Sequence, residues 1–168
     1  MATKIITAPS VEPVSLTEAK DHCRVDGAEF DALFNGVIIP AARESAEHEL
    51  NRALCTQTRE LVLDEFEDEL FLFGDPIQSV VSIKYLDSYG VQQTLDPINY
   101  TLDKDSSPGC VKVSYGKVWP ETYKEMNAVR VQYVCGYGNA AAVPSAIKAW
   151  ILLAIGTLKA QTETIGDN

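Results

Sequence analysis

The sequence predicts an α+β protein in which helices stand before and after a β-rich centre. Three observations support this class: a helix-capping box opens residues 15–54, short alternating segments fill residues 58–138, and an amphipathic helical pattern covers residues 145–160. Helices and strands that are segregated along a chain argue against a parallel sheet with crossover helices. At 168 residues the chain has the length of one domain, so we expect residues 1–168 to form a single domain.

The N-terminal region predicts an extended arm followed by a short helix. Pro9 and Pro13 favour an extended backbone over residues 1–13. Ser15-Leu16-Thr17-Glu18 then forms a capping box, in which the Ser15 hydroxyl accepts from the N–H three residues on and the Glu18 carboxylate accepts from the cap N–H. The box predicts a helix over residues 16–23 that ends near Asp26-Gly27.

The longest helical pattern covers residues 29–54 and is interrupted by Pro40. Proline removes the N–H that would bond the carbonyl of Gly36, and its ring crowds the same turn. We therefore expect a helix that is kinked near Pro40, or two abutting helices. The second half, residues 41–54, is polar on most faces, so we expect it to be exposed or to pair by charge with a neighbouring chain. Its candidate subunit-interface residues are Arg43, Glu44, Glu47 and Arg52.

The central part of the chain changes to a period of two, which is typical of strands. Turn sequences such as Asp87-Ser88-Tyr89-Gly90 separate the alternating segments. We expect one antiparallel sheet of five to seven short strands. The predicted strands cover residues 58–64, 69–73, 80–86, 91–95, 100–103, 110–115 and 128–135.

The last third of the chain predicts an amphipathic helix over residues 145–160. Pro144 fits the first turn or the position before it, and Ser145 can cap the helix. Such a stripe must pack against the protein's own core or against a neighbour, and the pattern leaves both open. The polar tail, residues 161–168, is expected to be loose until bound. The stripe consists of Ile147, Trp150, Ile151, Ala154, Ile155 and Leu158.

Composition and charge exclude several classes of function. The net charge is −10, and seven acidic residues lie within residues 60–75. A surface this acidic opposes binding to phosphate backbones, and the run is either a solvated face or a surface that must not adhere to nucleic acid. No apolar run approaches the about 18 residues that a membrane span requires. The four cysteines form no CxxC, so their spacing favours free thiols in a reducing cytoplasm over a zinc site.

Motifs for catalysis or cofactor binding are missing from the sequence. It contains no GxxxxGK[ST], GxGxxG or HExxH. His22 and Cys23 are adjacent, and adjacent side chains on a helix do not face each other. We therefore expect no catalytic, cofactor or metal site. Trp119, in Tyr115-Gly116-Lys117-Val118-Trp119-Pro120, either covers one end of a small core or belongs to a recognition loop at a subunit interface.

Taken in order over about residues 9–160, these features resemble those of the tailed-phage head–tail connector proteins, also called head-completion or neck adaptor proteins. The acidic residues 64–69 depart from that family's pattern. The stretches that carry the resemblance are Pro13-Val14-Ser15-Leu16-Thr17-Glu18-Ala19-Lys20, Arg24-Val25-Asp26, Ala41-Ala42-Arg43-Glu44, Pro76-Ile77-Gln78-Ser79-Val80, Ile83-Lys84-Tyr85-Leu86-Asp87, Gln93-Thr94-Leu95-Asp96, Tyr115 to Pro120, Gly136-Tyr137-Gly138 and Val143-Pro144-Ser145-Ala146-Ile147-Lys148.

The resemblance implies a non-enzymatic virion protein that is assembled in the host cytoplasm and located in the neck. Such proteins form a ring beneath the portal, twelvefold to match it, and extend the DNA channel without binding DNA specifically. They present a surface to the tail or a stopper protein, and a subunit can stay monomeric until the portal provides a template. The terminal helix would engage the portal through Ile147, Trp150, Ile151, Ile155 and Leu158.

Two other classes of function remain open at the level of the sequence. A small cytoplasmic enzyme with a carboxylate site would need a concave pocket with converging acids. A monomeric protein-binding adaptor would show one exposed apolar patch.

The ring subunit that the resemblance implies needs, by contrast, two different complementary faces, because its head-to-tail contacts close by rotation.

Overall fold

The computed structural model describes residues 2–166, with side chains through residue 162. The chain divides into two compact units. The β unit contains residues 2–9 and 56–136, and the helical unit contains residues 10–55 and 137–166. Each unit is built from two separate stretches of the chain, so neither is a continuous segment. That residues 1–168 act as a single domain stays a prediction.

The helical unit begins with α1, Leu16–Cys23, whose bounds are those predicted. The capping box is present: the Glu18 N–H donates to Ser15 Oγ at 3.2 Å, and the Ser15 N–H donates to Glu18 Oε2 at 2.8 Å. The helix ends at Arg24, which adopts a left-handed conformation with a φ of 54°. The local residues therefore determine both ends of this helix.

The predicted irregularity at Pro40 takes the form of a π-helical segment. Asp31–Leu33 (α2) leads into π-helical Phe34–Ile38, and Ile39–Leu50 (α3) follows without a break. Pro40 stands in the first turn of α3, where a missing N–H costs least. The wider π turn accommodates Pro40, which has no N–H to donate, without interrupting the helix.

The last helix, α4, covers Ser145–Gly166 and is longer than predicted. Residues 161–166 continue the helix, which corrects the prediction that the helix ends at residue 160; residues 167–168 lie outside the described part of the chain. The core of the helical unit joins α4 to the first half of the unit through fully buried Phe34, Ile39, Leu54, Ile151 and Ile155. Within residues 2–166 no helix is both long and apolar enough to cross a membrane.

The β unit contains two antiparallel sheets. Five strands pair in the order β1-β2-β8-β4-β5, and three pair in the order β3-β7-β6. Strand β8 lies at the centre of the larger sheet, where Val131 pairs with Leu61 on one side and with Ile83 on the other. The strands are β1 Ala2–Thr7, β2 Gln57–Leu63, β3 Glu69–Leu72, β4 Ile77–Leu86, β5 Gln92–Thr94, β6 Tyr100–Asp103, β7 Gly109–Val113 and β8 Val129–Cys135.

The structure confirms the antiparallel β-rich centre and corrects its division. The seven predicted strands all form, but they are shared between two sheets, and β1 is an eighth strand in what was predicted to be an unpaired arm. All six β1 residues are exposed, so this strand has no buried face that would require apolar and polar residues to alternate. Alternation reports which face of a strand is buried and does not report which strands share a ladder.

Candidate docking surfaces

The amphipathic stripe of α4 packs into the core of the helical unit. Ile151 and Ile155 are fully buried, while Ile147 and Leu158 are partly buried against the same core. Of the two alternatives that the sequence left open, the structure places the stripe on the protein's own core. The assignment of Ile151 and Ile155 as portal-docking residues is therefore corrected, because a partner cannot reach them in this fold.

The opposite side of α4 is exposed and also uncharged. Trp150 is 42% exposed and Leu153 is 64% exposed. We call this side the docking face; it consists of Ala146, Ala149, Trp150, Leu153 and Thr157, spaced three and four residues apart. A helix that is apolar on both sides is typical of one that is covered on both. Trp150, which the sequence analysis placed in the stripe, lies on this exposed face instead, and Leu153 was not predicted because it lies off the stripe.

A groove of about 450 Å³ lies between α3 and α4, beside the docking face. Its walls are mostly apolar, and Glu49 is its one carboxylate. It can accept an apolar side chain, with a cation of the partner near Glu49, but it does not offer the pair of acids that the carboxylate-enzyme alternative requires. The lining residues are Ser45, Ala46, Glu49, Leu50, Ala146, Ile147 and Trp150.

Two predicted subunit-interface residues lie inside the helical unit. Arg43 and Glu47 are only 6% and 7% exposed. Arg43 Nη1 donates to Glu47 Oε2 at 3.1 Å, and Arg43 Nε donates to Glu12 Oε2 at 2.9 Å. The other Glu47 oxygen accepts from the buried Leu54 N–H at 2.8 Å. The expectation of an exposed polar helix is therefore wrong for Arg43 and Glu47, whose charges are satisfied within the chain.

The charges of this buried network perturb each other. Burial raises the pKa of Glu12, and the Arg43 guanidinium only partly offsets that rise. Burial alone would lower the pKa of Arg43, but the neighbouring carboxylates of Glu12 and Glu47 raise it on balance. The guanidinium therefore stays charged, and the network links the segment before α1 to α3.

The other predicted interface residues keep some exposed surface. The Glu44 side chain is 70% exposed although it contacts Arg43 at 3.3 Å. Arg52 is half-buried, and its Nη1 donates to the Tyr137 hydroxyl at 3.2 Å. Among the predicted residues of α3 and its C-terminal end, Glu44 and Arg52 are therefore the two that a neighbour can reach.

Trp119 fulfils the first of the two roles that the sequence left open, which is to cover part of a core. Its ring stacks on Phe66 with centroids 4.8 Å apart and planes 3° apart, so it covers part of the β unit. Among the described residues its buried Nε1 has no hydrogen-bond acceptor. The preceding Val118 is 84% exposed, and Tyr115 is fully exposed. The loop is therefore anchored by its tryptophan and presents apolar side chains to solvent.

The metal-ligating side chains in the described part of the chain are dispersed. There, no three His, Cys, Asp or Glu side chains lie close enough together to hold an ion. Burial raises the pKa of the Cys55 thiol to about 11, so this cysteine is not a ready thiolate ligand or nucleophile.

The fold is similar to that of chains from gene transfer agent particles. The chain superposes on a chain of "Neck of empty GTA particle computed with C6 symmetry" with a TM-score of 0.77 at 20% identity, covering 94% of this chain and 83% of that one. For "Virion of native gene transfer agent (GTA) particle" the TM-score is 0.78 at 21% identity, with the same coverage. For "Neck of native GTA particle computed with C12 symmetry" it is 0.74 at 20% identity, covering 94% and 82%.

No family model matches the sequence, and no curated protein matches it. At these identities the structural similarity establishes a shared fold that extends over nearly the whole chain.

Proposed function

We propose that this chain is a structural subunit of the neck of a phage-like virion. It forms a ring beneath the portal, extends the DNA channel and receives the tail or a stopper protein on its far side. The observation that carries the proposal is the fold shared over 94% of the chain with chains from gene transfer agent necks and virions. The collinear resemblance to head–tail connector proteins supports it independently, because it rests on sequence alone.

The docking face of α4 supplies the surface for the portal. It is uncharged, and Trp150 and Leu153 together expose a large apolar area. Trp150 also forms a wall of the α3–α4 groove, where an apolar side chain of the partner would be buried. Aromatic side chains next to a pocket are frequent anchors of protein interfaces. Docking would therefore use the side of α4 opposite to the buried Ile151 and Ile155.

The ring would close through head-to-tail contacts between unlike faces. The predicted residues that remain reachable are Glu44 and Arg52 in the helical unit and, in the β unit, the loop that Trp119 anchors. A subunit that is monomeric in isolation and assembles on the portal is compatible with the proposal. A twelvefold ring matches a twelvefold portal.

The acidic segment between β2 and β3 faces the channel in this proposal. Asp64, Glu65, Glu67 and Asp68 are exposed, while Phe66 is turned inward against Trp119. Negative charge on the lumen would keep the passing DNA from adhering, because like charges repel at short range. A ring whose lumen is lined mainly by Lys and Arg would contradict this part of the proposal.

Native mass spectrometry with and without the cognate portal protein tests the function. We expect the wild-type chain to bind the portal in multiple copies. Trp150→Glu together with Leu153→Glu should abolish that binding while the isolated chain keeps its unfolding temperature, because both side chains are already exposed. The matched control is Val81→Glu, an exposed apolar residue of β4 that should leave portal binding intact. A wild-type chain that never binds the portal would contradict the proposal.

A further inference from the structure

Strand β1 contributes no buried side chain to the sheet that it joins. All six residues of Ala2–Thr7 are exposed, and the strand occupies an edge, pairing with β2 alone. Its register runs from Ala2 opposite Val62 to Thr7 opposite Thr58. An edge strand held mainly by its backbone ladder is the part of a sheet that opens at the lowest free energy.

One side-chain contact makes the β2 edge specific for this sequence. Lys4 Nζ lies 2.7 Å from Glu60 Oε2. The site beside β2 therefore recognises the register and the Lys4 side chain of β1 as well as an extended backbone. A second copy of this chain carries the same strand and fits the site identically.

The chain that follows β1 has a short hinge and then a fixed point. Residues 8–11 are mostly exposed and include Pro9. The fixed point is Glu12, held by Arg43 at 2.9 Å, and Val14, which is 1% exposed. Strand β1 belongs to the β unit, whereas the fixed point belongs to the helical unit. A change in the hinge alone can redirect the strand without disturbing either core.

We propose that in the assembled ring β1 is exchanged between neighbours, so that each copy's β1 pairs with β2 of the next copy. The exchange forms the same ladder and the same ion pair as in the single chain, so it costs little beyond the change in the hinge. The exchange links every subunit to its neighbour. In an isolated chain β1 pairs with β2 of the same chain, and the chain stays monomeric. The inference rests on the proposed ring and adds the element that locks it.

Disulfide trapping between β1 and β2 tests the exchange. Lys4 and Glu60 are Cα partners in the ladder, and partners in an antiparallel ladder are close enough to form a disulfide. The double variant Lys4→Cys with Glu60→Cys is assembled with the portal, oxidised and separated in SDS without reductant. We expect a ladder of covalent oligomers from the assembled ring and covalently closed monomers from the unassembled chain.

The controls separate this inference from the proposed function. Each single cysteine variant should give no ladder, which accounts for the native cysteines. A second pair, Thr7→Cys with Thr58→Cys, repeats the test if removing the Lys4–Glu60 ion pair impairs assembly. Rings that release only covalently closed monomers would overturn the exchange and leave the proposed ring standing. Failure of the wild-type chain to assemble would overturn both.

Discussion

The buried carboxylate of Glu47 allows a quantitative test of the helical unit. Glu47→Ala leaves the buried Arg43 with one buried partner fewer and deprives the Leu54 N–H of its acceptor. Breaking a buried ion pair costs about 3–5 kcal/mol, and we take about 3 kcal/mol because Arg43 keeps Glu12. At about 2–4 °C per kcal/mol for a chain of this size, the unfolding temperature should fall by about 6–12 °C.

Glu44→Ala is the matched control, since it removes the same residue type from the same helix and the same arginine. Its side chain is 70% exposed, so its ion pair should contribute at most about 1 kcal/mol. Glu47→Gln, which keeps an acceptor for the Leu54 N–H, should fall between the two. Thermal unfolding followed by circular dichroism measures all three. Equal unfolding temperatures for Glu47→Ala and Glu44→Ala would refute the reasoning.

Three further predictions concern the helical unit. Ile151→Ala should destabilise it by about 2–5 kcal/mol by opening a cavity, whereas Leu153→Ala on the docking face should change stability by less than about 0.5 kcal/mol; chemical denaturation distinguishes them. Ser15→Ala should cost about 1 kcal/mol by removing the cap of α1. The backbone N–H of Ser15 lowers the pKa of Glu18, so the stability that Glu18 contributes is present above its usual pKa and is lost as the pH falls through the lowered value; the difference between wild type and Glu18→Gln should shrink in urea titrations at acidic pH.

Local sequence was enough to predict the elements whose ends depend on neighbouring residues. The capping box set the first residue of α1, and Pro40 indicated an irregularity in the long helix, which is the π-helical segment Phe34–Ile38 just before it. Strands with one buried face, such as β8, alternate strictly and were located to within one residue. In each case the information lies within a few residues of the feature.

Features that depend on distant residues could not be predicted in the same way. Strand β1 has no buried side chain, so its pairing depends on the free edge of β2. The burial of Arg43 and Glu47 depends on Glu12 and on the Leu54 N–H, which lie outside α3. A polar pattern on a helix therefore did not distinguish a solvated face from a satisfied internal network.

The docking face of α4 was not predicted either, and here the ambiguous pattern is apolar and not polar. The stripe of α4 was recognised, but a hydrophobic stripe does not tell whether the core or a partner covers it. Leu153 becomes informative only once Ile151 and Ile155 are known to point into the core. The sequence did carry one indication, since the apolar residues of α4 are not confined to a single side.

A cryo-EM map of the neck of the particle that carries this chain tests the central claim most directly. We predict a closed ring of this chain directly beneath the portal, with Trp150 and Leu153 of every copy buried against the portal protein. A neck without this chain, or a ring in which the docking face of α4 is left in solvent, would contradict the account.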